Sequence, residues 1–260
     1  MPECLVSRHV ISAVLLWVVL TAVGEATVFL DWFPTVGSHE AEDFDEIFLI
    51  LVAMGTPVFA FVIAVIAYAV LNFRSKGPEE TGATFLGVGT GPRVWVGITS
   101  ALALLVMIYP GMTGLAALSK ERTGNGWGEY DAELVVHATG YQWFWQFEYP
   151  ESGVKVQGAG NELVLPVDTV IRFDVDAADV IHSFWIPAFR LKIDALPGRT
   201  TFMTVKPTEL GSYNEDAAYR IQCAELCGLD HSGMLFPVKV VSQDEFKEWV
   251  NSQTAAAKGQ

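Results

Sequence analysis

Between Cys223 and Met234 the chain reads Cys-Ala-Glu-Leu-Cys-Gly-Leu-Asp-His-Ser-Gly-Met, which puts two thiols, an imidazole and a thioether on one short segment. Soft thiolate and thioether donors beside imidazole select copper or zinc over magnesium or calcium, and the thioether favours copper because zinc rarely takes methionine. A blue-copper site needs one cysteine, a following histidine and methionine, and a second histidine from an earlier strand. Here two cysteines, Cys223 and Cys227, stand four positions apart. Two such thiolates on a tight loop can bridge a pair of coppers, each completed by one imidazole and one weak donor. That arrangement shares one electron over two metals and suits electron transfer better than substrate chemistry. A Cys223–Cys227 disulfide and a zinc site compete with this reading. A disulfide is at home outside the cytoplasm, but it leaves His231 and Met234 without a purpose.

The missing imidazole must come from an earlier strand, and the outer part of the chain offers His137 and His182. His182 sits in Asp179-Val180-Ile181-His182-Ser183-Phe184-Trp185-Ile186-Pro187, at the end of an apolar strand. A cupredoxin-like sandwich brings such a strand beside its last loop. His137 lies in the alternating run Leu134-Val135-Val136-His137-Ala138 and reads as an ordinary strand residue. His9 and His39 fall in a tail and a linker.

The elements that must hold these residues follow from patterning. The 260 residues are 51% hydrophobic and 18% charged, but those values average two unlike parts that divide near residue 119. Before it, apolar runs at about 10–30, 47–73 and 94–118 are long enough to cross a bilayer. The first follows Arg8 and His9; its length favours a retained anchor, while small residues around Ala22 to Ala26 also permit cleavage. Arg74, Lys76 and Arg93 flank or occupy the 74–93 loop, whereas 31–46 is acidic with no Lys or Arg, so that loop faces the cytoplasm and residues after 119 face the opposite side.

After residue 119 the pattern is strand-like: Leu134 to Ala138, Trp143 to Tyr149, Leu163 to Val167, Val170 to Val175, Thr200 to Val205, Tyr219 to Cys223 and Phe236 to Val241. Short strands of this kind predict an all-β Greek-key sandwich or barrel, and a cupredoxin-like sandwich is the form that would set an earlier strand beside the metal loop. The expected division is a transmembrane α-helical region over 1–118, a copper domain over 119–242, and a C-terminal helix and tail over 243–260. The net charge of −14 excludes nucleic acid as a partner, since no Lys/Arg cluster is present to hold phosphates. From residue 119 on, 20 Asp and Glu stand against 12 Lys and Arg, a surplus that attracts a basic partner. Cys4, in the N-terminal tail, receives no role.

These residues resemble subunit II of cytochrome c oxidase, with its binuclear CuA centre. The pattern C-x-E-x-C-x-x-x-H-x-x-M with H-S-x-W upstream carries the likeness, and it extends over both later spans and the outer domain. The resemblance implies that Cys223 and Cys227 bridge two coppers and that His182 and His231 each bind one. It further implies that Met234 is a weak ligand and that Glu225 binds through its backbone carbonyl. The carboxylate of Glu225 would reach a magnesium or manganese ion shared with subunit I.

In Gly140-Tyr141-Gln142-Trp143-Phe144-Trp145-Gln146-Phe147-Glu148-Tyr149-Pro150, the likeness makes Trp143 the exposed ring through which cytochrome c passes its electron. Ordinary core packing is the competing reading for the other aromatics. Phe144 replaces a usual Tyr, so a phenol is expected to be missing there. Glu148 and Asp179 match acidic positions of the cytochrome c docking surface, with Glu162 in a similar stretch. Asp194-Ala195-Leu196-Pro197-Gly198-Arg199 resembles a turn that lies against subunit I; subunit III is a further implied partner.

The implied activity is electron transfer from cytochrome c through copper to haem in subunit I, where oxygen becomes water and protons are pumped. The implied place is a bacterial inner membrane, with the copper domain on the periplasmic side. Quinol-oxidising relatives lack these ligands; copper-dependent nitric oxide and nitrous oxide reductases, and a membrane-anchored copper carrier, are the alternatives. One departure concerns protons. The family often carries a Glu near the start of the last span, and Gly91 to Thr99 has no carboxylate. Glu79 or Glu80 in the cytoplasmic loop would have to substitute.

Overall fold

The structure, a computed structural model, describes residues 2–74, 77, 90–115, 132–158 and 160–258. Lys76, Glu79, Glu80 and the end of the third apolar run lie outside the described residues. Two compact units emerge: Met1–Trp32 with Glu46–Ala117, and Phe33–Asp45 with Leu118–Gln260.

In the first unit, α1 (Pro2–Thr27), α2 (His39–Asn72) and α3 (Thr90–Val106) carry three apolar stretches long enough to cross a membrane. A wider π-type turn at Met107–Met112, around Pro110, continues α3. Helices suit this setting because every backbone polar group is satisfied within the segment. Side-chain and backbone contacts join α1 to α2. The His9 ring nitrogen Nδ1 lies 2.9 Å from the Tyr68 hydroxyl, and Trp17 Nε1 donates to the Pro57 carbonyl at 2.8 Å. Gly24 lets the backbones approach, since a Cβ there would lie 2.4 Å from Thr56 Cγ2.

The predicted boundaries of the second span shift. Helix α2 starts at His39, eight positions before the apolar run, because Ser38 caps it: its hydroxyl accepts the Ala41 N–H at 3.2 Å. Glu40 and Glu42 then sit in the first turn, where negative charge is favourable. The acidic stretch expected as linker is therefore partly helical.

The second unit is a two-sheet β domain. One sheet has the order β3-β2-β1-β5-β8, from Val154–Gln157, Phe144–Tyr149, Leu134–Tyr141, Ile171–Ala177 and Thr201–Val205. The other runs β4-β11-β10-β6-β7, from Leu163–Pro166, Leu235–Val241, Arg220–Cys223, His182–Trp185 and Lys192–Ala195, with the two-residue β9 (Gly211–Ser212) on β11. The inward residues Val136, Trp145, Phe147, Phe173, Phe184, Ile221 and Phe236 interdigitate as the core. Strands β3, β6, β7 and β9 escape the periodicity reading because they are short. His182 opens β6 instead of closing an apolar strand.

Helix α4 (Gln243–Lys258) closes one side. It starts at a reciprocal cap: the Glu245 N–H donates to the Ser242 hydroxyl, and the Glu245 carboxylate accepts the Ser242 N–H. Phe246 and Trp249 pack on Tyr149.

Residues 33–45 form a strap that belongs to the β domain. The Gly37 N–H donates to the Ala188 carbonyl at 2.9 Å, and a Cβ at Gly37 would crowd Ala188 and Tyr219. Arg190, held at φ +60°, is the hub. Its Nε and Nη2 donate to the Asp45 carboxylate at 2.8 and 2.7 Å, and its remaining donors take the carbonyls of Pro34, Thr35 and Pro187. Thr35 also donates to Asp216, and that bond, with the Ala218 N–H, holds the Asp216 carboxyl below its usual range.

Arg190→Ala leaves the Asp45 carboxylate buried and unpaired, so it should cost about 3–5 kcal/mol, read as a lower Tm of the full chain. Adding Asp45→Ala should restore part of that loss. A carboxyl held low stabilises the fold above its ordinary pKa and loses that effect as pH falls through its folded value. Hydrogen exchange at Thr35 to Gly37 should therefore accelerate on acidification below the usual carboxylate range, and Asp216→Asn should flatten the response.

Candidate metal centre

The loop after β10 and the first residue of β6 meet at one end of the sandwich. Antiparallel pairing sets Cys223 opposite Phe184 and Gln222 opposite Trp185. The Ala224 N–H donates to the Ser183 carbonyl at 3.0 Å, and the Cys223 N–H to the Met234 carbonyl at 3.1 Å, so both ends of the loop are tied down. Cys223 and Cys227 are buried free thiols with sulfurs 3.7 Å apart.

Each sulfur has two further donor atoms beside it. Around Cys223 Sγ stand His182 Nδ1 at 3.8 Å and the Glu225 carbonyl oxygen at 3.1 Å. Around Cys227 Sγ stand His231 Nδ1 at 3.5 Å and Met234 Sδ at 3.8 Å. All six residues expected from the sequence therefore converge. Among the described residues, His182, Cys223 and Cys227 form the one cluster of His, Cys or acidic side chains compact enough to hold a metal. Two thiols, two imidazoles, a thioether and a single carbonyl form a soft set that fits copper and suits neither magnesium nor calcium. Burial, reinforced by the adjacent Cys223, pushes the Cys227 thiol up to about 12. A metal binding there must displace protons, which ties loading to pH.

The shell behind the donors contains residues the sequence reading missed or placed elsewhere. His182 is fully buried, and its far nitrogen Nε2 lies 2.9 Å from Asp179 Oδ1. The same carboxylate accepts the Gln142 N–H at 2.7 Å and the Val180 N–H at 2.6 Å. Partial burial pulls the Asp179 carboxyl upward, but the His182 and backbone bonds outweigh it and hold the group below its usual range. Asp179, expected at a docking surface, thus orients a donor imidazole. Its place three residues before His182 was a signal available in the sequence.

Gly140 makes room for that ring: a Cβ there would lie 2.9 Å from His182 Cδ2. Gly228, at φ +122°, packs under Gln142 and Trp143 in the same way. No local pattern marks either glycine, because both contacts come from distant chain segments.

Trp143, expected as an exposed ring, lies in the turn between β1 and β2 and is half-buried. Its Nε1 donates to the Cys227 carbonyl at 3.3 Å, and Gln142 Nε2 donates to the same oxygen at 2.7 Å. Trp145 is wholly buried, and Phe144 is on the surface. The expected lack of a phenol is corrected: Tyr141 stacks face to face on Phe144, with centroids 4.7 Å apart and planes 2° apart. Glu148 pairs with Lys155 at 3.0 Å, and Glu162 lines a groove with Lys155 and Lys239. His137 is on the outer face of β1, 3.6 Å from Asp174.

Residues 151–241 match the family described as cytochrome c oxidase subunit II, periplasmic domain. The haem-copper oxidase subunit 2 of Aeropyrum pernix is 35% identical over 218 residues, covering 80% of this chain and 88% of its own. This chain belongs to the subunit II family of the haem-copper oxidases. Cytochrome c oxidase subunit 2 of Synechocystis is 28% identical, covering 86% of this chain and 76% of its own. The periplasmic domain of Bradyrhizobium japonicum cytochrome oxidase subunit II is 38% identical with a TM-score of 0.45, covering 49% of this chain and 97% of that structure. As a subunit II, the chain is part of an oxidoreductase that includes other oxidase subunits, and its three apolar helices anchor it in a membrane. Its β domain is of the outer-side type, and the His/Cys/Cys cluster is consistent with the copper of this family.

Gly140→Ala drives a methyl group into the His182 ring, which has no free volume to retreat into. The variant should bind fewer coppers per chain than the parent, measured by metal analysis after equilibration, with the β fold retained by circular dichroism.

Proposed function

We propose that this subunit takes electrons from cytochrome c at a binuclear copper centre and passes them to haem in subunit I, where oxygen is reduced to water and protons are pumped. The ligands are His182, Cys223, Cys227, His231, Met234 and the backbone carbonyl of Glu225. The observation that carries the reading is the pairing of donors, one imidazole nitrogen and one weak donor beside each of two neighbouring sulfurs. When held by these residues, copper would supply a one-electron site that changes shape little between its redox states.

The protein's part is to hold that site still. Asp179 fixes His182 through Nε2, so Nδ1 faces the sulfurs. The tethered loop ends keep the thiols apart at bridging distance and shut water out. Trp143 is the electron port, since its indole N–H bonds directly to the carbonyl of Cys227. The exposed carboxylate of Glu225 takes a magnesium or manganese ion shared with subunit I, and the Asp194–Arg199 turn lies against that subunit. Subunit III completes the partners. The copper domain is residues 119–242 together with the 33–45 strap, the rest of 1–118 is the membrane region, and 243–260 is a tail whose helix packs on the domain, in a bacterial inner membrane with the domain on the periplasmic side.

Copper-loaded full-length chain should give a seven-line paramagnetic resonance signal from one electron shared by two copper nuclei, with two coppers per chain. A four-line, single-copper spectrum overturns the binuclear centre. In the assembled oxidase, Trp143→Ala should slow reduction by cytochrome c by orders of magnitude while the copper spectrum stays unchanged.

A further inference from the structure

An apolar N-terminal helix can be a leader that is cut away or a span that stays, and the composition of α1 allows both. Gly24 and Ala26 supply the small residues a peptidase would need to cut before Thr27. The two fates differ in what they ask of the folded chain. A leader needs no partner, whereas α1 has one along its whole length.

Partial burial recurs on α1 at His9, Ala13, Trp17, Leu20 and Gly24, in steps of three or four that trace one face of a helix. Val10, Val14, Val18 and Val19, on the remaining surface, are exposed and suited to lipid. Three points fix the buried face on α2. At the inner end His9 Nδ1 lies 2.9 Å from the Tyr68 hydroxyl, and its ring packs on Phe73 with centroids 5.2 Å apart. In the middle the Trp17 indole N–H donates to the Pro57 carbonyl at 2.8 Å, and the ring meets Phe61 edge-on at 5.8 Å. At the outer end Gly24 sits so close to Thr56 that no side chain fits between them. Residues 9, 17 and 24 thus meet 68, 57 and 56 in antiparallel order, as one continuous seam. Ala60 and Ala64, on the stretch of α2 between Pro57 and Tyr68, are buried, as small residues are where membrane helices lie close.

Lipid offers these groups nothing to bond with, so the Trp17 N–H and the Tyr68 hydroxyl each find a partner on the other helix. The backbone at the would-be cut is also engaged. Helix α1 runs on to Thr27, whose hydroxyl donates to the Gly24 carbonyl at 2.7 Å. The Val28 N–H donates to Glu25, and the Leu30 N–H and the Trp32 indole both donate to the Thr27 carbonyl. Proteolysis favours exposed, irregular backbone, and here the stretch is wound into helix and turn.

We propose that α1 is a permanent third membrane helix of this subunit, docked along α2 through His9–Tyr68, Trp17–Pro57 and Gly24–Thr56, and that it is not removed as a leader. The proposal is independent of the copper reading, because none of these residues is a metal donor.

Intact-mass measurement of the subunit in oxidase purified from its native membrane should give the 28.4 kDa of the whole chain, less at most the first Met. A mass short of residues 1–26 overturns the proposal. Docking is read separately. A Cβ at Gly24 would stand 3.8 Å from the Thr56 Cβ, the spacing of a disulfide. In a Cys4→Ser background, Gly24→Cys with Thr56→Cys should join α1 to α2 on oxidation, detected as a linked peptide by mass spectrometry without reduction. Val18→Cys with Thr56→Cys should stay unlinked. No link in the first pair, or equal linking in both, overturns the docking. A milder variant serves if the double cysteine chain does not assemble: Trp17→Phe keeps a ring and loses the N–H. It should lower the Tm of the purified oxidase by a few degrees, while Val18→Ala leaves it unchanged; equal Tm values for the two variants count against the seam.

Discussion

The antiparallel pairing of β6 with β10 brings an imidazole from one strand and a thiol from another to the same end of a sheet, and the rest of the centre depends on that register. Cys223 faces Phe184, two residues beyond His182. Side chains alternate across a sheet, so a one-residue slip would send His182 to the opposite face. The register is guarded on both sides. Phe184 is locked among Trp145, Phe147 and Phe173 in the core, and the Ala224 N–H bonds to Ser183 just past the pairing. Apolar packing thereby decides where a metal donor stands.

Rigidity around the donors is assembled from backbone contacts as much as from side chains. Asp179 collects one imidazole nitrogen and two backbone N–H groups on a single carboxylate, and Gln142 and Trp143 converge on one carbonyl of the metal loop. The two glycines at 140 and 228 allow this closeness, since either Cβ would occupy space already filled by a ring or an amide. If the site carries electrons as proposed, such a shell serves it, because donors that cannot move keep the rearrangement between redox states small.

The strap solves a different problem. Its backbone passes over the β domain without a long ladder of its own, so its carbonyls need other donors. Arg190 supplies two of those bonds, to Pro34 and Thr35, while pairing with Asp45, and its left-handed backbone aims the guanidinium back at the strap. Residues that precede the second span therefore belong to the same compact unit as strands found almost a hundred positions later. A β domain cut at residue 119 would lack them.

Much of this protein was legible in its residues. Membrane spans announce themselves through uninterrupted apolarity, because lipid tolerates little else, and the metal loop through donor types whose chemistry is independent of fold. Cys223, Cys227, His231 and Met234 are near neighbours in the chain, so their spacing alone argued for a shared metal, and the choice of His182 over His137 followed from its sequence context. Tertiary structure alone decided the contacts that link distant segments: Gly140 beneath the His182 ring, Gln142 and Trp143 on the Cys227 carbonyl, and Arg190 holding Asp45. Local periodicity reports which face of a strand is buried, but not which strand lies next to it. That choice depends on packing summed over the whole domain, and no short segment contains it.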